Sequence, residues 1–165
     1  MIKFNYCGTH IKDEEYMNYM SSKGYQVKSL VEGFWSFEKG KENEYIYRIF
    51  YFRGMSKNDI EKKIQELKKE KIEFVHRYSF WGIFRSKKEF ELYNEKEQLE
   101  LSERIRKPMV LATIICPVLI MILLLLVLKL NKLFLIPLIL LTIYFLICLY
   151  LMIQYTNLIN SLKDK

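Results

Sequence analysis

Two long stretches without a charged side chain fill the last third of the chain, and they restrict its architecture more than any other feature. Pro108 to Leu128 and Leu133 to Ile153 are each 21 residues long; the first has no ionisable side chain except Cys116, and the main polar interruptions of the second are Thr142, Tyr144 and Tyr150. At about 1.5 Å per residue, a helix of that length crosses the roughly 30 Å hydrocarbon core of a bilayer. A soluble core helix rarely needs so much unbroken leucine and isoleucine, whereas lipid does. The pattern predicts a transmembrane hairpin over residues 108–154, with spans 108–128 and 133–153. Lys129, Asn131 and Lys132 form its tip, where the two lysines reach the far headgroups at small cost.

Charge orients the hairpin. Arg104, Arg106 and Lys107 lie against the first span, and Lys163 and Lys165 follow the second. The excess of basic flanks over the two tip lysines predicts both termini on the cytoplasmic side of a cell membrane, with residues 155–165 as a short cytosolic tail. The same three residues, Arg104, Arg106 and Lys107, form a candidate membrane-surface site, each gaining about 1 kcal/mol from an anionic leaflet. Tyr150 and Tyr155 fit an interfacial belt.

Residues 1–107 hold 22 basic and 18 acidic side chains, a surplus spread among alternating lysine and glutamate. That is a solvated surface, and nucleic acid is not an expected partner. The opening MIKFNYCGTHIKDEEY lacks the apolar core of a secretory signal, which predicts a cytosolic N-terminal part. Three scattered cysteines, Cys7, Cys116 and Cys148, make no disulfide framework.

Ahead of the hairpin the pattern predicts an α+β domain over residues 1–88. MIKFNY alternates as a strand. Asp13 to Ser22 reads as a helix with acidic residues in its first turn, an apolar stripe of Tyr16, Met17 and Met20, and Gly24 as a left-handed cap. YQVKSLVEGFWSFEKG and EYIYRIFYFR, separated by a polar loop, read as a β-hairpin. A second helix starts at Ser56 with Asp59 in a capping-box position and Ile60, Ile64 and Leu67 on one face. IEFVHRY and WGIFRS follow as paired strands, with a tight turn near Phe80 to Gly82. This order predicts a small ferredoxin-like antiparallel sheet with two helices. Glu89 to Lys107 reads as a helical stalk, acidic early and basic late.

The helix ending in SSKGYQV, FWSFEKG, EYIYRIFYF and IEFVHRYSFWGIFRS together resemble a bacterial family, domain of unknown function 2812 (DUF2812), over roughly residues 10 to 90. Gly24, the run Phe37 to Gly40, Tyr45, Tyr47, Arg48, Trp81, Phe84 and Arg85 carry the likeness. The resemblance implies a membrane-attached cytosolic module, with a PadR-like regulator or a membrane complex as an implied partner, and no established activity. Lys71 and Ile72 replace the family's usual Gly-Trp pair, which implies a different turn there.

Candidate sites are few. YIYRIFYF resembles a base-stacking strand but lacks the glycine and basic spacing such strands use, so packing or partner contact is the preferred reading. Cys7 and His10 form half of a zinc site and lack the other half; no metal or cofactor is expected. Glu38, Lys39 and Arg48 read as a surface salt-bridge cluster near the first hairpin. No glycine elbow, phosphate loop or paired carboxylate appears, so no enzyme is expected. Neither span contains Asp, Glu, His, Lys or Arg, which argues against a self-sufficient transporter. Pro117 predicts a bend, and Ala112, Cys116 and Cys148 a close approach of the two spans. The expected function is a membrane-anchored adaptor or regulator that binds a protein through Trp35, Tyr47 and Trp81. The alternative is an accessory subunit of an envelope transporter or antimicrobial-resistance system acting through its hairpin.

Overall fold

A computed structural model describes every residue except Cys7, Glu32, Leu130, Asn131 and Lys165, so the expected half-site cysteine, one tip residue and one flanking lysine lie outside the described residues. The chain divides into two compact units, Met1–Leu92 and Tyr93–Lys165. The first is α+β, as the sequence predicts.

It contains strands β1 (Ile2–Phe4), β2 (Tyr25–Val31), β3 (Phe34–Lys39), β4 (Ile46–Tyr51), β5 (Glu73–Tyr78) and β6 (Trp81–Ser86), and helices α1 (His10–Ser22) and α2 (Lys57–Lys69). The strands form two three-stranded antiparallel sheets, ordered β1-β3-β2 and β4-β6-β5. The expected partnership between YQVKSLVEGFWSFEKG and EYIYRIFYFR does not form. The first run is itself a hairpin: Val31 pairs with Phe34, and Gly33 just before Phe34 has φ +84°, a conformation that glycine adopts freely. β4 pairs instead with β6, from Ile46 opposite Ser86 to Tyr51 opposite Trp81. The polar loop thus crosses between sheets.

α1 begins three residues earlier than its acidic turn suggests, because Thr9 caps it by accepting the Lys12 amide. It ends as expected: Gly24 has φ +74° and its amide returns to the Ser21 carbonyl. α2 starts at its predicted cap, with the Ser56 hydroxyl accepting the Asp59 amide. After α2 the turn keeps the form that glycine would favour. Lys71 has φ +64°, and Ile72 donates to the Leu67 carbonyl, so the lysine is accommodated without a different turn.

The aromatic residues are explained by two cores. Met17 and Met20 of α1, Val27 and Leu30 of β2, Trp35 and Phe37 of β3, Tyr47 and Ile49 of β4, and Ile83 of β6 make the first. Phe52, Ile60, Leu67, Ile72 and Phe84, with Phe50 and Phe74 beside them, make the second, beneath α2. Alternation along β4 and β6 sends one row to each core, so the second sheet is covered on both faces.

The second unit is a helical pair, α3 (Glu95–Lys129) and α4 (Leu135–Lys163), joined near a short 3₁₀ turn, Lys132–Phe134. α3 runs unbroken through Pro108 and Pro117. It starts at Glu95 and not at Glu89, because Phe90 and Leu92 pack against the second core. The helices are antiparallel. Glu103 meets Lys163 at 3.3 Å, and the Thr113 hydroxyl, which donates to the Val110 carbonyl, lies 3.6 Å from the Met152 sulfur. Cys116 and Cys148 are both buried, in keeping with the expected close approach. Tyr150 is exposed but Tyr155 is buried, so only the first of the two fits an outward-facing belt.

Gly82 provides the test of the second core. A Cβ there would overlap the Phe52 ring, so Gly82→Ala is expected to cost about 1–3 kcal/mol through overpacking. In a Phe52→Leu background that cost should shrink. Both tryptophans, Trp35 and Trp81, lie in the first unit, so fluorescence-monitored unfolding of the full chain in detergent reads this unit alone. An unchanged Gly82→Ala cost in the Phe52→Leu background would refute the packing.

Candidate functional site

β4 lies at the end of its sheet, so half of its backbone groups lack a strand partner. α1 supplies side chains in place of the strand. The Ile49 amide donates to Glu14 Oε1 at 2.7 Å, and the Tyr47 amide donates to Asn18 Oδ1 at 2.8 Å. Asn18 Nδ2 donates back to the Tyr47 carbonyl at 3.2 Å, and the Ser21 hydroxyl donates to the Tyr45 carbonyl at 2.7 Å. The match is geometric. Three to four residues of helix rise about 4.5–6 Å and two residues of strand about 6.8 Å, close enough for side chains at 14, 18 and 21 to reach 49, 47 and 45 in the antiparallel sense.

Behind this seam is a second set of bonds. The Tyr47 hydroxyl donates to Gln26 Oε1 at 2.9 Å and accepts the Val27 amide at 3.1 Å, while Gln26 Nε2 donates to the Lys41 carbonyl at 2.8 Å. One tyrosine thus links β4 to β2. Burial pushes its phenol up from the ordinary value.

Two titratable groups of α1 are displaced in opposite directions. Burial raises the Glu14 carboxyl to about 7, although the Ile49 amide and the Arg48 guanidinium, 3.8 Å away, pull it down. Burial lowers His10 to about 4, where it stacks on Trp81 with centroids 5.5 Å apart. Displaced carboxyls often mark active sites. Here the contacts of Glu14 are a strand amide and a guanidinium, an arrangement that seals an edge.

The structure relocates the residues expected to meet a partner. Trp35 and Tyr47 are 0 % exposed, so neither presents a surface to another protein; they fill the first core. Trp81 is partly buried between His10 and Tyr51, the latter at 4.5 Å between centroids. Arg48 pairs with Glu14, and Glu38 and Lys39 are exposed near the end of β3, so the expected cluster is replaced by a pair that includes an unforeseen glutamate. Among the described residues no three His, Cys, Asp or Glu side chains come together as a metal site. Arg104 and Lys107 are exposed on α3, and Arg106 is half-buried. Glu14 and Asn18 had only one signal in the sequence, a polar residue at each of two positions four apart on a helix, and that pattern usually means solvent.

An apolar patch lies elsewhere, on the outer face of the first sheet. Ile2 is 73 %, Phe4 65 %, Val31 58 % and Phe34 55 % exposed. Phe34 is the register partner of both Phe4 and Val31, and the Phe4 and Phe34 rings are 5.1 Å apart. The inward residues of the same strands, Trp35 and Phe37, are in the core.

α3 and α4 are both long and apolar enough to cross a membrane, and only 6 % of the most hydrophobic stretch of each is buried. A soluble core helix would be mostly covered. The family model described as Protein of unknown function (DUF2812) matches residues 10–114, well over half of the chain. No curated protein and no solved structure matches it.

The displaced carboxyl gives a prediction with a definite sign. Because folding raises the Glu14 pKa from 4.5 to about 7, the folded state holds the extra proton, and this contribution falls as pH rises through that window. His10, lowered from 6.5 to about 4, acts oppositely, its contribution falling as pH drops through its own window. Glu14→Gln should therefore match the wild type below pH 4.5 and gain on it up to about pH 7, approaching ~3 kcal/mol. Unfolding followed across that range should show the widening gap; a constant difference would refute it.

Proposed function

The chain belongs to the DUF2812 family, and from its exposed apolar patch and its two long apolar helices we propose that it is a membrane-anchored adaptor or regulatory module that binds a protein partner and performs no catalysis. The observation that carries this reading is the patch of Ile2, Phe4, Val31 and Phe34. Both cores are complete without it, so its exposure serves no packing role, and contiguous exposed apolar surface commonly marks an interaction site. Val31 and Phe34 flank the β2–β3 turn and Ile2 and Phe4 lie on the adjoining β1, so the patch is built from paired strands.

The hairpin serves as the anchor in this reading. The basic flanks Arg104, Arg106 and Lys107 before the first span, with Lys163 beyond the second, support a two-span reading with the N-terminal unit on the cytoplasmic side of the cell membrane, since positive charge is favoured on that side. The outward surface of both helices is apolar and suited to lipid.

Proximity labelling in cells separates this reading from one in which the hairpin makes the contacts. A reproducible labelled partner should survive replacement of residues 108–154 by an unrelated two-span hairpin and disappear in Phe4→Ser/Phe34→Ser. Both phenylalanines are more than half exposed, so the loss of stability should stay near that of one cross-strand aromatic pair, about 1 kcal/mol. A partner that ignores the serine pair and is lost with the hairpin would overturn the adaptor reading.

A further inference from the structure

A sheet ends in strands whose outer N–H and C=O groups need partners, and the N-terminal unit has four: β1 and β2 in one sheet, β4 and β5 in the other. Three of them lie against other elements of the unit. α1 side chains line β4, while β2 and β5 lie alongside each other, each with a bulge, at Val27/Ser29 and Phe74/His76. The Val27 amide is taken by the Tyr47 hydroxyl.

β1 differs. Its backbone bonds to β3 come from alternate residues: the Met1 amine donates to the Phe37 carbonyl at 2.7 Å, the Phe37 amide returns to the Met1 carbonyl at 2.8 Å, and the Asn5 amide reaches the Gly33 carbonyl at 2.9 Å. In an antiparallel ladder the residues between them point their groups the other way. The amides and carbonyls of Ile2 and Phe4 therefore line the outer edge, and the side chains of those same residues belong to the apolar patch.

We propose that β1 is a docking edge that accepts an extended strand of a partner protein, added antiparallel, with apolar residues opposite Ile2 and Phe4 and an acidic residue opposite Lys3. Main-chain bonds supply the affinity in this mode and alternate side chains the selectivity. Lys3 decides the occupant. The two-fold pairing that matches all three residues of β1 with a second copy has its axis at Lys3, so it sets Ile2 against Phe4 of the copy and Lys3 against its own counterpart, and like charges directly opposite each other are destabilising. Hydrocarbon would cover the phenylalanines but leave the edge amides unbonded. A strand that alternates apolar and acidic residues satisfies both the edge and the lysine. The inference rests on the adaptor reading and deepens it.

The test uses the full chain in neutral-lipid nanodiscs and a fluorescent peptide alternating valine with glutamate. The peptide should bind, its valine–lysine counterpart should bind about ten-fold more weakly, and Lys3→Glu should reverse that order. N-methylation of the valines, which face the β1 backbone in this register, should weaken binding about ten-fold, whereas N-methylation of the glutamates should leave it nearly unchanged. Equal sensitivity to the two methylation patterns, indifference to Lys3→Glu, pairing of the chain with itself that excludes the peptide, or capture of the patch by anionic vesicles in its place would each overturn the proposal. If the peptide fails these tests while Phe4→Ser/Phe34→Ser still abolishes the cellular partner, strand addition falls and the adaptor reading stands.

Discussion

The hydrogen bonds between α1 side chains and the backbone along β4 are the contact on which the rest of the N-terminal unit depends. A buried amide without a partner costs about 1–3 kcal/mol, and β4 would present several along an edge that the first core surrounds. Glu14 and Asn18 answer two successive outward positions of that strand, and Ser21 answers Tyr45 just before it. Once the helix is fixed along the edge, Met17 and Met20 are fixed over the core as well. The register of α1 on β4 therefore decides which side chains enter the first core. Tyr47 extends the same logic, since its hydroxyl reaches Gln26 and the Val27 amide and so ties the second sheet to the first without a shared ladder.

The helical unit meets the same constraint by a different route. In lipid every backbone polar group must be satisfied within the helix or against a neighbour. Thr113, Thr142 and Thr156 return their hydroxyls to carbonyls of the preceding turn, at 2.8 Å in each case, so these three donors are met within their own helices. The interface between the helices uses small or slender groups, Cys116 and Cys148 among them, and continues past the apolar stretches to Ile105, Tyr155 and Ile159. The segment that the sequence suggests is a lone stalk therefore runs, over its later turns, beside the end of α4.

What the sequence disclosed was what short-range chemistry determines. The two apolar runs, the Ser56 cap, the left-handed Gly24 and the alternation of β4 each depend on neighbours within a few positions, and each is present. Strand pairing was not disclosed, because β4 must choose between β3, just upstream of its start, and β6, about thirty residues downstream of its end; nothing local records the choice. The misreading of Trp35 and Tyr47 has a related cause. A single small core cannot hold so many aromatic rings, so the surplus looked like surface; a sheet sandwiched between two cores holds them. Glu14 was hidden for the opposite reason, since an ionisable residue on a helix rich in polar side chains reads as solvated until the strand behind it is known.

The two-core arrangement also limits where a partner can be met. The second sheet has no free face: Tyr47, Ile49 and Ile83 turn to one core, and Phe50, Phe52 and Phe84 to the other. The first sheet is covered on one face only, and a half-covered antiparallel sheet normally alternates apolar inward with polar outward. It does so at its centre, where Ser29 pairs with Ser36. The alternation fails toward the β2–β3 turn, where Phe4, Val31 and Phe34 stand outward while Trp35 still fills the core. A sequence constrained only by folding would gain nothing from three large apolar groups in water at that corner, beside a strand edge that is otherwise left without cover. The local break in a pattern obeyed by the rest of the sheet, coinciding with an edge strand that packs against β3 alone among the described elements, is the physical basis for proposing recognition at β1 and its neighbours.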